Sequence, residues 1–186
     1  MHLASLRGAP ALLFVILVCA GCGSSGPSGS SGSSKISAGT YVKSVCSAIS
    51  PLERDVVSRS SALNNSTASN AIQAKKTLRG FLNAIEQDSE HAVSQIQSAG
   101  TPDISNGKAV SGAIVRAFSQ LRDAMKVAVT RAASLPTDSA TSFNSAAQAL
   151  TTSVRGSLNN IDASGLSNPE LEKAASKEPT CKSLNS

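Results

Sequence analysis

The cysteines, Cys19, Cys22, Cys46 and Cys181, are the side chains in this sequence best suited to chemistry. A thiolate can attack carbon, bind a metal or pair with a second thiol. Catalysis needs a base beside the nucleophile, and no histidine is placed to serve. His91, the histidine of the main body, sits in Glu86-Gln87-Asp88-Ser89-Glu90-His91. Asp88 and His91 are spaced to share a helix face. A dimetal site in a helical bundle needs two such motifs and two further carboxylates pointing inward. The rest of the chain supplies no second motif, so the pair reads as part of a solvated acidic face. No Gly-x-Ser-x-Gly elbow and no glycine-rich phosphate loop occurs. Lys75, Lys76 and Arg79 form a short basic cluster, read as a solvated face because no run of like charge extends it. The chain is therefore read as no enzyme, with no catalytic residue, no metal site and no cofactor.

The cysteines gain meaning from the N-terminus. Arg7 precedes an almost wholly apolar run from Ala9 to Ala20 that ends in small residues. This is the pattern of a secretory signal, and it is shorter than the roughly 20 apolar residues that span a bilayer. Ala20-Gly21-Cys22, followed by Gly23-Ser24-Ser25, resembles a bacterial lipobox. The resemblance implies that residues 1–21 are a signal peptide removed by signal peptidase II. It also implies that Cys22 receives a diacylglyceryl thioether and becomes the new N-terminus. Cys19 stands where that family usually has Leu. Val18-Cys19-Ala20 also satisfies a small-x-small cleavage rule, so secretion without lipid, cut after Ala20, is the alternative. That cut leaves three cysteines, an odd number in an exported protein, whereas lipidation of Cys22 leaves two. Those two, Cys46 and Cys181, are expected to form a disulfide.

Residues 22–35 are the lipid-bearing cysteine and a Gly/Ser tether, a composition that cannot bury apolar surface. The tether spans on the order of 20 Å by random-coil scaling. Residues 36–186 are long enough for one domain with its own core. Hydrophobic residues make up 40% of the chain and aromatics only 3%, so that core must be aliphatic and rich in Ala. Beyond the signal, 16 basic residues face 12 acidic ones, a net +4. This mild excess suits anionic membranes or wall polymers. Export and the lack of an aromatic-basic pattern exclude a nucleic-acid partner.

Apolar residues in the body recur at steps of three and four, which is helical periodicity. The first segment carries Val42, Val45, Ile49, Leu52, Val56 and Leu63. Pro51 interrupts it. Ser50-Pro51-Leu52-Glu53 also reads as a capped helix start, so one kinked helix or two abutting helices are expected. A second segment runs from about Ala68 to Ala99, where Gly80 would let a neighbour approach closely. A third runs from about Ser105 to Leu135, and a fourth from about Ser139 to Ile161 with Thr137 or Asp138 as its cap. Asn168-Pro169-Glu170 starts a short fifth helix that ends before Pro179. Each long segment holds one aromatic near its stripe, Tyr41, Phe81, Phe118 and Phe143, expected in the core. The fold class expected is all-α, an antiparallel up-down four-helix bundle with a short fifth C-terminal helix. In such a bundle Cys46 lies about 10–15 Å above the end of the fourth helix, a distance the tail can cover.

The lipobox, the tether, the Ala/Ser-rich helices and Tyr41-Val42-Lys43-Ser44-Val45-Cys46 resemble small secreted lipoproteins of high-GC Gram-positive bacteria. The resemblance implies a lipid-anchored protein on the extracytoplasmic face of the cell membrane and brings no activity with it. The function expected is a helical binding or interaction module whose partner is an envelope protein or wall polymer. The alternative is a carrier of a small apolar ligand held between helices.

Overall fold

The computed structural model describes residues 35–65 and 70–185. The fold is all-α apart from one very short ladder. Four long helices follow one another: α1 (Ala38–Asn65), α2 (Ala71–Ser98), α3 (Gly107–Ala133) and α4 (Ala140–Asn159). Two short ones, α5 (Pro169–Ala175) and α6 (Pro179–Lys182), precede a closing 3-10 turn at Ser183–Asn185. Strand β1 (Lys35–Ile36) pairs in parallel with β2 (Thr101–Pro102), Lys35 opposite Thr101 and Ile36 opposite Pro102.

Local chemistry sets most boundaries. Asn70 caps α2 by accepting from the Gln73 N–H at 2.8 Å. Asn168 caps α5, with Pro169 in its first turn. The cap of α4 is Ser139, which accepts from the Ser142 N–H at 3.1 Å. Asp138, one of the two expected caps, instead accepts from the Ser142 hydroxyl. The third segment begins at Gly107, two residues later than expected, because Asn106 takes a left-handed conformation ahead of it.

Pro51 lies inside a single helix, so of the two arrangements expected the one with a second start at Ser50 does not occur. The Ser50 hydroxyl donates back to the Cys46 carbonyl at 2.9 Å and does not cap. The physical reason is the stripe, which keeps its phase across the proline. Leu52 is buried in the main core, and continuous packing outweighs the one N–H that Pro51 lacks.

Helix α1 packs on α2, α2 on α3 and α3 on α4, while α4 also touches α2. The main core joins Leu52 to Leu82, Ile85, Leu121, Met125, Phe143 and Leu150. Ala48, Ala92 and Ile96 form a tight layer nearer the start of α1, where the small side chains let α1 and α2 approach closely. Tyr41 and Phe143 are buried as expected, and Phe81 and Phe118 are half-buried against the core. Gly80 does not mediate close packing: a Cβ there would have nothing within 4 Å.

Helix α4 is shorter than its neighbours, and the chain continues past it in non-helical form. The Asp162 N–H donates to Gln120 at 2.8 Å, Gly165 abuts Ala113, and the Asn168 amide donates to the Ser105 carbonyl at 3.4 Å. Residues 160–168 thus run along α3 towards its start and deliver α5 to the first turns of α1. There α5 and α6 pack against α1.

Candidate functional site

The best-defined constellation lies at the end of the helices where β1 enters the fold. Ile36 is held to the α2–α3 connection by the β1–β2 pair and by the Asp103 N–H, which donates to its carbonyl at 2.7 Å. Lys35 forms an ion pair with Asp103 at 3.0 Å, but each side chain is 62% exposed, so the pair contributes little stability. The backbone pairing and the partial burial of Ile36 against neighbouring apolar residues do more to fix the point where residue 35 enters the fold.

Behind that point lies a second small core of Tyr41, Val42, Cys46, Val110, Leu171 and Cys181. The sulfurs of Cys46 and Cys181 are 2.01 Å apart, with Cα atoms 5.2 Å apart across 135 residues of sequence. The pairing expected from cysteine parity is thus at bonding distance. Both residues are buried, which keeps them from acting as exposed reactive thiols. Their link ties the first turns of α1 to α6. The sequence reading missed α6, although Glu178-Pro179-Thr180 repeats the cap-then-proline signal that marked α5. Pro179 opens a helix here and is more than a stop.

Tyr41 is wholly buried in this core. No hydrogen bond of normal geometry reaches its hydroxyl. Burial raises its pKa, and the neighbouring Ser111 hydroxyl opposes that rise without forming a full hydrogen bond. Outside the core, Gly39, Glu170, Lys173, Ala174, Lys177 and Glu178 line an open cleft of about 360 Å³. Its rim is charged and balanced in sign.

The remaining candidates separate. His91 is exposed, and the Asp88 carboxyl turns towards Asp55 of α1, so the two do not form a joint site. One Asp88 oxygen is sealed from solvent with no donor to it, and the nearby Asp55 is engaged by Arg59 at 2.6 Å. Desolvation, then repulsion from Asp55, pushes the Asp88 pKa above the usual carboxylate range. Among the described residues, no three His, Cys, Asp or Glu side chains converge to hold a metal ion. The basic cluster on α2 also splits. The Lys75 ammonium donates to the Leu135 carbonyl at 2.8 Å, just past the end of α3, while Lys76 and Arg79 are exposed.

Cys22 and residues 1–21, where a signal peptide is expected, lie outside the described residues. Among the described residues, no helix is long and apolar enough to cross a membrane. No protein-family model matches the chain, and neither a curated protein nor a solved structure matches it.

Proposed function

We propose that this protein is a lipid-anchored binding module of the extracytoplasmic membrane face, held by Cys22 and displayed on the Gly/Ser tether. The observation that carries this reading is the construction of the tether end. Entry strand β1, the Cys46–Cys181 link and helices α5 and α6 all gather at the first turns of α1. A chain pulled from residue 35 would load this braced end first and leave the long helices presented outward. Within this proposal, α1 to α4 form an up-down bundle, with residues 160–168 completing the column that α4 begins. A pocket between α3 and α4, lined by Ala128, Leu150 and Val154, holds about 10 Å³, no more than one water needs, so it gives an apolar ligand no room at that place.

The anchor is tested by feeding producing cells a clickable fatty acid and comparing wild type with Cys22→Ala. Label on the wild type alone is the expected result, and equal label on both would remove Cys22 from the reading. Crosslinking on intact cells then tests the binding role. It should recover one reproducible envelope component, and repeated blanks would refute that role.

A further inference from the structure

Charge is unevenly divided among the helices. Helix α2 and the α5–α6 tail each balance their cations with an equal number of carboxylates, and α1 carries a net +1. Helices α3 and α4 together hold six Lys or Arg against one acid, Asp123, a net +5. The excess charge of the whole body therefore sits on this pair. Among the described residues only Arg122 of the six is matched, by Glu90 and Asp123 at about 3 Å. Among the described residues, no carboxylate comes within ion-pair distance of Lys108, Arg116, Lys126, Arg131 or Arg155. All five are exposed. Arg131 touches the Ser153 hydroxyl, and Arg116 acts on Asp162 only as a minor influence behind that residue's bonds to Ser164.

Four of these cations follow one another along α3: Lys108, Arg116 and Lys126 on the side away from its buried stripe of Val110, Ala113, Ala117, Leu121, Met125 and Ala128, and Arg131 at its flank towards α4, where it touches Ser153. From Lys108 to Arg131 they extend about 35 Å at 1.5 Å per residue. Keeping like charges unmatched along one helix costs stability through self-repulsion, and it also builds a positive potential along it, reduced at Asp123, which shares this side and is engaged by Arg122. A narrow row of this length complements a linear polyanion. A flat lipid surface would call for cations spread in two dimensions. The row starts at the tether end and runs outward, the course of a polymer leaving the membrane.

We propose that the outer side of α3 is a docking stripe for a linear anionic polymer with phosphate or carboxylate repeats. This rests on the binding-module reading and names its partner class.

The test uses the protein as exported, with Cys22→Ser to keep lipid off, and inorganic polyphosphate as the probe. About four phosphate contacts, each contributing roughly 0.7 to the salt slope, predict a fall in affinity of about 50-fold between 50 and 200 mM salt. Lys108→Gln/Arg116→Gln/Lys126→Gln should weaken binding about tenfold or more and cut that slope to about 1. Lys173→Gln/Lys177→Gln/Lys182→Gln removes the same charge from the balanced tail and should leave affinity within about threefold. All six sites are exposed, and circular dichroism verifies that both variants keep the helical signal. Absence of polyphosphate binding by the parent protein would overturn the stripe, as would equal losses in the two variants. Tighter binding to anionic phospholipid vesicles than to polyphosphate would overturn it in favour of a lipid surface. An envelope protein captured on cells that is indifferent to the α3 variant would refute the stripe while leaving the binding-module reading standing.

Discussion

Removing the Cys46–Cys181 link is the sharpest perturbation of this fold. In Cys46→Ala/Cys181→Ala the unfolded chain loses a crosslink that closes 135 residues. The chain-entropy relation assigns about 5 kcal/mol to a loop of that length, and measured removals run at about 2–5 kcal/mol. For a body of this size each kcal/mol moves the melting temperature by about 2–4 °C, so a drop of about 4–20 °C is expected. The structure adds a spatial expectation. Helices α5 and α6 reach α1 through the small core around Cys46, whereas the main core depends on neither. The tether end should therefore loosen before the rest. Tyr41 is the chain's one tyrosine, there is no tryptophan, and Tyr41 is fully buried in that small core. Intrinsic tyrosine fluorescence thus reports the tether end, while far-ultraviolet circular dichroism reports the helices. In the variant, the fluorescence transition should precede the dichroism transition on heating or in guanidinium. A melting temperature within about 2 °C of wild type, or coincident transitions with an unchanged midpoint, would refute the reasoning, as would two free thiols found by mass spectrometry of the unreduced protein.

Other expectations concern single positions. Gly107→Ala would place a Cβ 2.1 Å from the Pro102 carbonyl oxygen, so the β2 backbone must shift. A loss of about 1–3 kcal/mol is expected in denaturant unfolding. Gly80→Ala fills open space on an exposed helix position and should stabilise by up to about 1 kcal/mol, read as a higher midpoint with the same slope. Asp88 has a raised pKa in the folded protein, so folding takes up protons as pH falls. Stability linked to it is full below the ordinary carboxylate pKa and is lost as pH rises through the raised folded value. Melting curves across pH should show that decline in the wild type and a flatter profile in Asp88→Asn, whose melting temperature at neutral pH should be the higher of the two.

Much of the helical body was legible because its signals are local. The three-and-four spacing of Leu52, Leu82, Leu121 and Phe143 names the buried face of each long helix, and all four are in the main core. Asn168-Pro169 marked a helix start that the structure contains. The Cys46–Cys181 pairing was expected from counting thiols, because lipidation of Cys22 after removal of residues 1–21 would leave those two cysteines. What stayed hidden depends on contacts distant in sequence. A two-residue strand such as β1 has no periodicity to read, and its partner lies 66 residues away. Lys75 looked like a member of a basic cluster until α3 ended beside it. Ser50 and Pro51 carry a helix-start signal, and packing overrode it.

Composition and periodicity by themselves made legible an apolar run behind Arg7, a Gly/Ser stretch without apolar content and long amphipathic helices. Those properties arise from side-chain types a few residues apart, so no third dimension is needed to read them. Only the tertiary structure decided that α1 runs unbroken through Pro51, that α5 and α6 return to its first turns, and that unmatched cations collect on α3. Each of those turns on which surfaces meet and which charges find a partner, and free energies of that kind are set between elements far apart in the chain.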